Sequence, residues 1–142
     1  MRPDEADFGA WLNGLHHGEA TLTFPQTLVL RYGRFEPAER QQPQVVVDYT
    51  RWFLARLRAV EAAAAQGDHL CAGRFTAADV AVGYALLLAQ HLGLAEQFGP
   101  ATQAYWQRLQ QRPACQRAQT VQREAAQAQG VPTTPAPDTR PD

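Results

Sequence analysis

The sequence predicts an all-α domain, a helical bundle without a β-sheet. Apolar residues recur at helical spacing along most of the chain, and no segment shows sustained two-residue alternation bounded by turn signals. A third observation is the helix start at Thr76 and Asp79. The Thr76 side chain is expected to accept a backbone hydrogen bond, while Asp79 reaches back to the Thr76 N–H. The 142 residues suffice for one domain with a core that needs no metal or disulfide.

The first helix is predicted over residues 4–24. Its apolar stripe comprises Phe8, Trp11, Leu12, Leu15 and Leu22. Pro25 is expected to bend or interrupt this helix, because proline lacks the backbone N–H that an α-helix uses. A second helical piece is predicted over residues 26–32, and the Gly- and Pro-containing residues 33–43 are predicted to form a connection.

Four further helices are expected. The first of them has residues at helical spacing, namely Val45 or Val46, Tyr49, Trp52, Phe53, Arg56, Leu57 and Val60. It is expected to end at Gly67. The capped helix covers residues 76–91, ends before Gly93, and is expected to bury an apolar face of Val80, Tyr84, Leu87, Leu88 and His91. The last two begin near Pro100 and Pro113, because proline is tolerated in a first helical turn. Residues 1–129 are interpreted as one helical domain, and the Pro-, Thr- and Asp-rich residues 130–142 as a disordered tail.

Composition argues against several classes of function. The net charge is −1 and every basic residue is arginine, so nothing indicates a nucleic acid or a membrane as partner. Cys71 and Cys115 are far apart in sequence, and there is no signal-peptide pattern or long apolar run, which predicts a cytoplasmic protein. His16 and His17 are adjacent and therefore point about 100° apart on a helix, so no metal site is expected.

Four segments, taken in order, carry a resemblance to a known family. They are residues 15–25 (LHHGEATLTFP), 48–61 (DYTRWFLARLRAVE), 74–86 (RFTAADVAVGYAL) and 104–118 (AYWQRLQQRPACQRA). Together they resemble the all-helical C-terminal domain of glutathione transferases over residues 4–128. The resemblance implies an all-α helical bundle of the glutathione-transferase C-terminal domain type, and a detoxifying transferase that acts as a dimer.

The reaction implied by this resemblance is attack of the glutathione thiolate on an electrophilic carbon of an apolar substrate. Glutathione is then a co-substrate, and no other cofactor is expected. The domain is expected to supply a wall of the electrophile site and much of a homodimer interface. A thioredoxin-like domain, which no part of this sequence resembles, supplies thiol activation in the family, so the chain alone is expected to be inactive. The alternatives are a stand-alone helical protein–protein interaction module and a piece of a longer chain.

Candidate binding residues lie on two helices. His16, Glu19 and Thr23 share one stripe at three- and four-residue spacing. The resemblance implies that this stripe borders the glutathione cleft, with Glu19 a candidate for the γ-glutamyl ammonium and His16 for the glycine carboxylate. The alternative for all three is an interface or a solvated face. Tyr84 is a candidate for the electrophile pocket, with core packing as the alternative.

Two further interpretations concern residues without a predicted role in chemistry. Thr76 and Asp79 are interpreted as a structural capping box and not as a catalytic pair, and no catalytic residue is predicted. Gly14 stands where many family members have a tryptophan, which predicts a more open electrophile pocket.

Overall fold

A computed structural model describes residues 1–133, and within this range the chain forms helices and connections but no strand. The α-helices are α1 (Phe8–His16), α2 (Phe24–Leu30), α3 (Pro43–Ala64), α4 (Ala77–His91), α5 (Pro100–Gln111) and α6 (Pro113–Ala128). Short 3₁₀ turns at Ala38–Arg40 and Ala95–Gln97 precede α3 and α5. The prediction of an all-α bundle is confirmed. Most of the predicted tail, residues 134–142, lies outside the described residues.

The first two α-helices belong to one uninterrupted helical run that includes two π-helical segments, His17–Thr23 and Arg31–Phe35. Pro25 is the second residue of α2. The interruption predicted at this proline therefore takes the form of a π-segment just before it, in which hydrogen bonds close over five residues instead of four. The Thr23 hydroxyl follows the same five-residue step, since it donates to the Gly18 carbonyl at 2.9 Å. The run begins at Phe8, later than predicted.

The hydrophobic core lies where α3, α4 and α5 meet the first π-segment, His17–Thr23, which is called the π-segment below. Its members include Leu22, Phe53, Leu57, Val60, Val82, Leu86, Tyr105, Trp106 and Leu109. The predicted stripe of α3 is correct for Phe53, Leu57 and Val60. Trp52 of the same stripe remains 44% exposed.

The buried face of α4 differs from the prediction. Val80 and Tyr84 are each 58% exposed. Leu88 is buried as predicted, and the other buried residues of the helix are Ala78, Asp79, Val82, Gly83, Ala85, Leu86 and Ala89. Small residues dominate this set because α4 is surrounded by α1, the π-segment and α5, and close helix approach requires small side chains.

Two glycines mark the closest approach of the first helical run to α4. A Cβ built on Gly18 would lie 2.5 Å from the Ala81 carbonyl carbon, and one built on Gly14 would lie 3.1 Å from the Ala78 Cβ. α4 occupies the space beside Gly14, and the expectation of a more open electrophile pocket stays a prediction.

Candidate functional site

The capping box at the start of α4 is present in the structure. The Thr76 hydroxyl accepts from the Ala78 N–H at 3.2 Å, and the Asp79 carboxylate accepts from the Thr76 N–H at 2.7 Å. The Thr76 hydroxyl also donates to Asp79 Oδ2 at 3.1 Å. Both side chains are therefore engaged in starting the helix.

Asp79 also links three parts of the fold. Its Oδ1 accepts from the Leu70 N–H at 3.1 Å and from the Tyr105 hydroxyl at 3.0 Å, and the residue is 1% exposed. Burial, together with the Asp79 charge, raises the pKa of Tyr105 well above its ordinary value. Because the carboxylate already has four donors and no access to solvent, it is a structural group and not an acid or base available to a substrate.

A second carboxylate caps a helix from a distance. Glu61 of α3 accepts from the backbone N–H groups of Ala101 at 3.0 Å and Thr102 at 2.7 Å, which are first-turn donors of α5. Hydrogen bonds from Thr102 hold the pKa of the Glu61 carboxyl below its ordinary value. Sequence reasoning missed this cap, since local spacing carries no signal for partners 40 residues apart.

An apolar groove of about 350 Å³ runs between α4, the C-terminal part of α5, and α6. It is lined by Phe75, Asp79, Val80, Gly83, Tyr84, Leu87, Trp106, Leu109, Arg112, Ala114, Cys115, Ala118, Gln119 and Gln122. The groove exists because Val80 and Tyr84 lie on the outward side of α4 and α6 does not cover them. Of the predicted binding residues, only Tyr84 lines this apolar groove.

The polar groups of the apolar groove are few. The Arg112 guanidinium stacks over the Phe75 ring at 3.6 Å from its centroid. The Gln119 amide donates to Cys115 Sγ at 3.7 Å. The carboxylate of Asp79 is fully engaged, and the Tyr84 hydroxyl makes no hydrogen bond to any residue in the range 1–133. The groove is thus suited to hold an apolar molecule, and none of its lining side chains is arranged as a nucleophile with a partner base.

The predicted polar stripe is not part of this groove. His16 ends α1, Glu19 lies in the π-segment, and both side chains are exposed. Thr23 is half-buried, and its hydroxyl is already used within the helix. The structure therefore does not bring these three residues together with Tyr84.

Comparison with known proteins bears on the fold. The sequence matches no protein-family model, and no curated protein matches it. A crystal structure of the glutathione transferase URE2P8 from Phanerochaete chrysosporium with oxidized glutathione is similar to the chain, with a TM-score of 0.77, 20% sequence identity and 89% of this chain covered. The fold is that of a glutathione transferase helical domain. The chain spans 58% of the length of the transferase chain it matches.

Two kinds of feature are absent from residues 1–133. No helix there is long and apolar enough to cross a membrane. No group of three or more His, Cys, Asp or Glu side chains is placed there to hold a metal ion.

Proposed function

We propose that the chain is the helical part of a glutathione transferase-like protein and that its apolar groove forms a wall of the site for an apolar electrophile. The observation that supports this most directly is the groove itself, with Val80 and Tyr84 exposed on the central helix of a glutathione-transferase fold. Glutathione is the proposed co-substrate, which agrees with the oxidized glutathione in the similar transferase structure.

The chemistry of the groove determines which part of the conjugation reaction this chain can support. Conjugation requires a thiolate, and the thiol of glutathione needs a lowered pKa or a nearby base to supply one at neutral pH. The groove offers apolar surface that excludes water but no free base. Thiol activation is therefore assigned to a thioredoxin-like domain, on the same or a partner chain, and the isolated chain is inactive in conjugation.

The exposed stripe on the first helical run has a secondary role in this proposal. Glu19 and His16 make no hydrogen bond or ion pair to any residue between positions 1 and 133, so both remain available to polar groups of glutathione. Thr23 can still accept a hydrogen bond through its hydroxyl oxygen. A homodimer, with this run near the interface, is part of the same proposal.

The test measures binding of S-(2,4-dinitrophenyl)glutathione, a conjugate with an aromatic electrophile, to the full chain. Binding is monitored through the backbone amide signals in NMR. We expect shifts in α4 and α6 around Tyr84 and Cys115. Val80→Gln should weaken binding by about tenfold, because it replaces apolar groove surface with a polar side chain. Val121→Gln is the matched control, since Val121 is a helical valine of similar exposure, 63%, that does not line the groove.

Three outcomes would contradict the proposal: no binding, equal effects of the two variants, or shifts confined to another face of the bundle. Conjugation of glutathione to 1-chloro-2,4-dinitrobenzene by the chain alone would overturn the assignment of thiol activation to another domain.

The second candidate is a protein–protein interaction module without catalysis. The exposed Val80 and Tyr84 favour it as well, because apolar side chains side by side on a soluble protein often mark an interface. The two candidates differ in ligand: a module binds no glutathione conjugate in the groove, and Val80→Gln then reduces association with a partner protein alone.

A further inference from the structure

The apolar groove continues into a second, smaller cavity near the end of α4. This cavity has a volume of about 180 Å³, and it shares Leu87, Gln119 and Gln122 with the groove. Four glutamines from three helices line it, namely Gln90 of α4, Gln110 of α5, and Gln119 and Gln122 of α6. We call this cavity the glutamine recess. The proposed function uses the apolar groove and assigns nothing to the recess.

The Gln90 side chain is held in one orientation by Trp106. The Trp106 indole N–H donates to Gln90 Oε1 at 2.7 Å. Because an indole N–H can only donate, the Gln90 amide must present its oxygen to Trp106. The two N–H bonds of Gln90 Nε2 donate to no residue in the range 1–133. Trp106 is 3% exposed and lines the apolar groove, so a buried ring of the groove wall orients two free donors in the recess.

Gln119 offers the complementary group, a free acceptor. Its Nε2 donates to Cys115 Sγ at 3.7 Å, and its Oε1 accepts from no residue in the part of the chain that the structure describes. Within residues 1–133, no acidic side chain lines the recess, and Arg123 is exposed and donates to Thr120 Oγ1 at 3.5 Å. An exposed charge contributes little to binding. The recess therefore combines neutral donors with a neutral acceptor, beside apolar surface.

We propose that the groove and the glutamine recess together bind an apolar molecule that carries a primary carboxamide at one end. The apolar part lies in the groove, the carboxamide oxygen accepts from Gln90, and the carboxamide N–H donates to the Gln119 oxygen. A ketone of the same shape accepts but cannot donate, and a carboxylate places its charge beside the Gln119 oxygen, so each is expected to bind more weakly. Since the groove is the electrophile site of the proposed function, on which this proposal rests, its electrophile carries a carboxamide.

The experiment compares octanamide, 2-nonanone and octanoate, which have the same heptyl chain and carbonyl group, on the full chain. The readout is the Trp106 indole N–H signal in NMR, assigned with a Trp106→Phe variant, because this N–H is hydrogen-bonded to Gln90. We expect saturable shifts with octanamide and dissociation constants about fivefold larger for 2-nonanone and for octanoate.

A matched pair of variants tests the role of Gln90. Gln90→Glu keeps an oxygen for the Trp106 N–H but replaces the donating amide nitrogen, so it should weaken octanamide binding by about fivefold. Gln107→Glu is the control, because this exposed glutamine of α5 undergoes the same change of charge and lines neither the groove nor the recess.

Equal dissociation constants for octanamide and 2-nonanone, tighter binding of octanoate, equal effects of the two glutamine variants, or no shift at Trp106 would each overturn the proposal. The glutathione conjugate distinguishes this failure from failure of the proposed function. If the conjugate shifts the backbone amides of Tyr84 and Cys115 while octanamide has no advantage over 2-nonanone, only the carboxamide specificity is wrong. If the conjugate does not bind in the groove, the proposed function fails however the three ligands rank.

Discussion

At the scale of single residues, Asp79 illustrates how a capping residue differs from a catalytic one. Its carboxylate is buried and ionic, a combination that often marks an active site. Here, however, each oxygen has two donors, and the groove residues around it cannot reach it without displacing one of them. A buried charge in this setting is tolerated because its hydrogen bonds replace the lost hydration.

The first prediction concerns the donor that comes from α5. Tyr105→Phe removes one hydrogen bond to a buried carboxylate while leaving the ring in the core. We expect the free energy of unfolding to fall by about 1.5–3 kcal/mol, the usual range for hydrogen bonds to charged groups. Urea denaturation measures this change. Tyr32→Phe is the control, since Tyr32 is outside the core cluster, and an equal loss in both variants would contradict the assignment.

The raised pKa of Tyr105 also predicts how the free energy of unfolding changes at alkaline pH. The pKa of this phenol is higher in the folded chain than in the unfolded chain, where it is about 10. Its stabilising effect is therefore complete below pH 10 and decreases as the pH rises further, by about 1.4 kcal/mol per pH unit. Tyr105→Phe should flatten this alkaline decline in unfolding free energy. An unchanged slope in the variant would show that Tyr105 ionises as readily in the folded protein as in the unfolded one.

At the scale of elements, the contact between the first helical run and α4 depends on Gly18. A methyl group at this position would lie 2.5 Å from the Ala81 carbonyl carbon and 2.7 Å from the Val82 nitrogen. Backbone atoms cannot move aside as a flexible side chain can, so the two helices would have to separate.

We therefore predict that Gly18→Ala lowers the free energy of unfolding by about 1–3 kcal/mol. Gly9→Ala is the matched control: Gly9 is also in the first helical run, but nothing lies within 4 Å of its added Cβ. Stability should stay the same there or rise by up to about 1 kcal/mol, because alanine favours helix. Thermal denaturation of both variants tests the pair, and a neutral Gly18→Ala would contradict the close packing.

The elements also show what the sequence could and could not predict. Thr76 and Asp79 fix a helix start through partners three residues apart, so their signal is local and easily read. The face of α4 is different: Val80, Tyr84 and Leu87 have the spacing of a buried stripe. Only the tertiary arrangement shows that alanines and Gly83 face the neighbouring helices while Val80 and Tyr84 remain exposed.

The candidate site likewise combines a residue that the sequence indicates with residues that only the tertiary arrangement brings beside it. Tyr84 lines the apolar groove, and its role in an electrophile pocket, which rests on the resemblance, stays a prediction. The sequence does not reveal that Arg112 and Cys115 line the same groove as Tyr84, because their proximity depends on how α6 folds back. The same holds for Gln26, whose buried amide donates to carbonyls of Leu22 and Ala85, 59 positions further along the chain.

At the scale of the whole molecule, stability is unevenly distributed. The core joins α3, α4 and α5, whereas α6 contributes no buried residue. A helix of 16 residues with little tertiary packing is only marginally stable in water. The wall of the apolar groove that α6 provides is thus its least stable part.

This difference predicts the pattern of amide hydrogen exchange. Amides of α6 should exchange much faster than those in the middle of α4, although the two helices have similar lengths. Exchange measured by NMR or mass spectrometry on the full chain tests the expectation. A ligand held in the apolar groove should slow exchange in α6, and equal protection of α4 and α6 without ligand would contradict the uneven distribution.

The hydrogen bonds to Asp79 also suggest an order of events during synthesis. Its donors lie 3, 9 and 26 positions away in the chain, at Thr76, Leu70 and Tyr105. Thr76 and Leu70 precede Asp79 in the chain and are therefore synthesised before it. Short loops also close at lower entropic cost than long ones. The start of α4 can therefore form while α5 is still being translated. The hydrogen bond from the Tyr105 hydroxyl to the Asp79 carboxylate forms last.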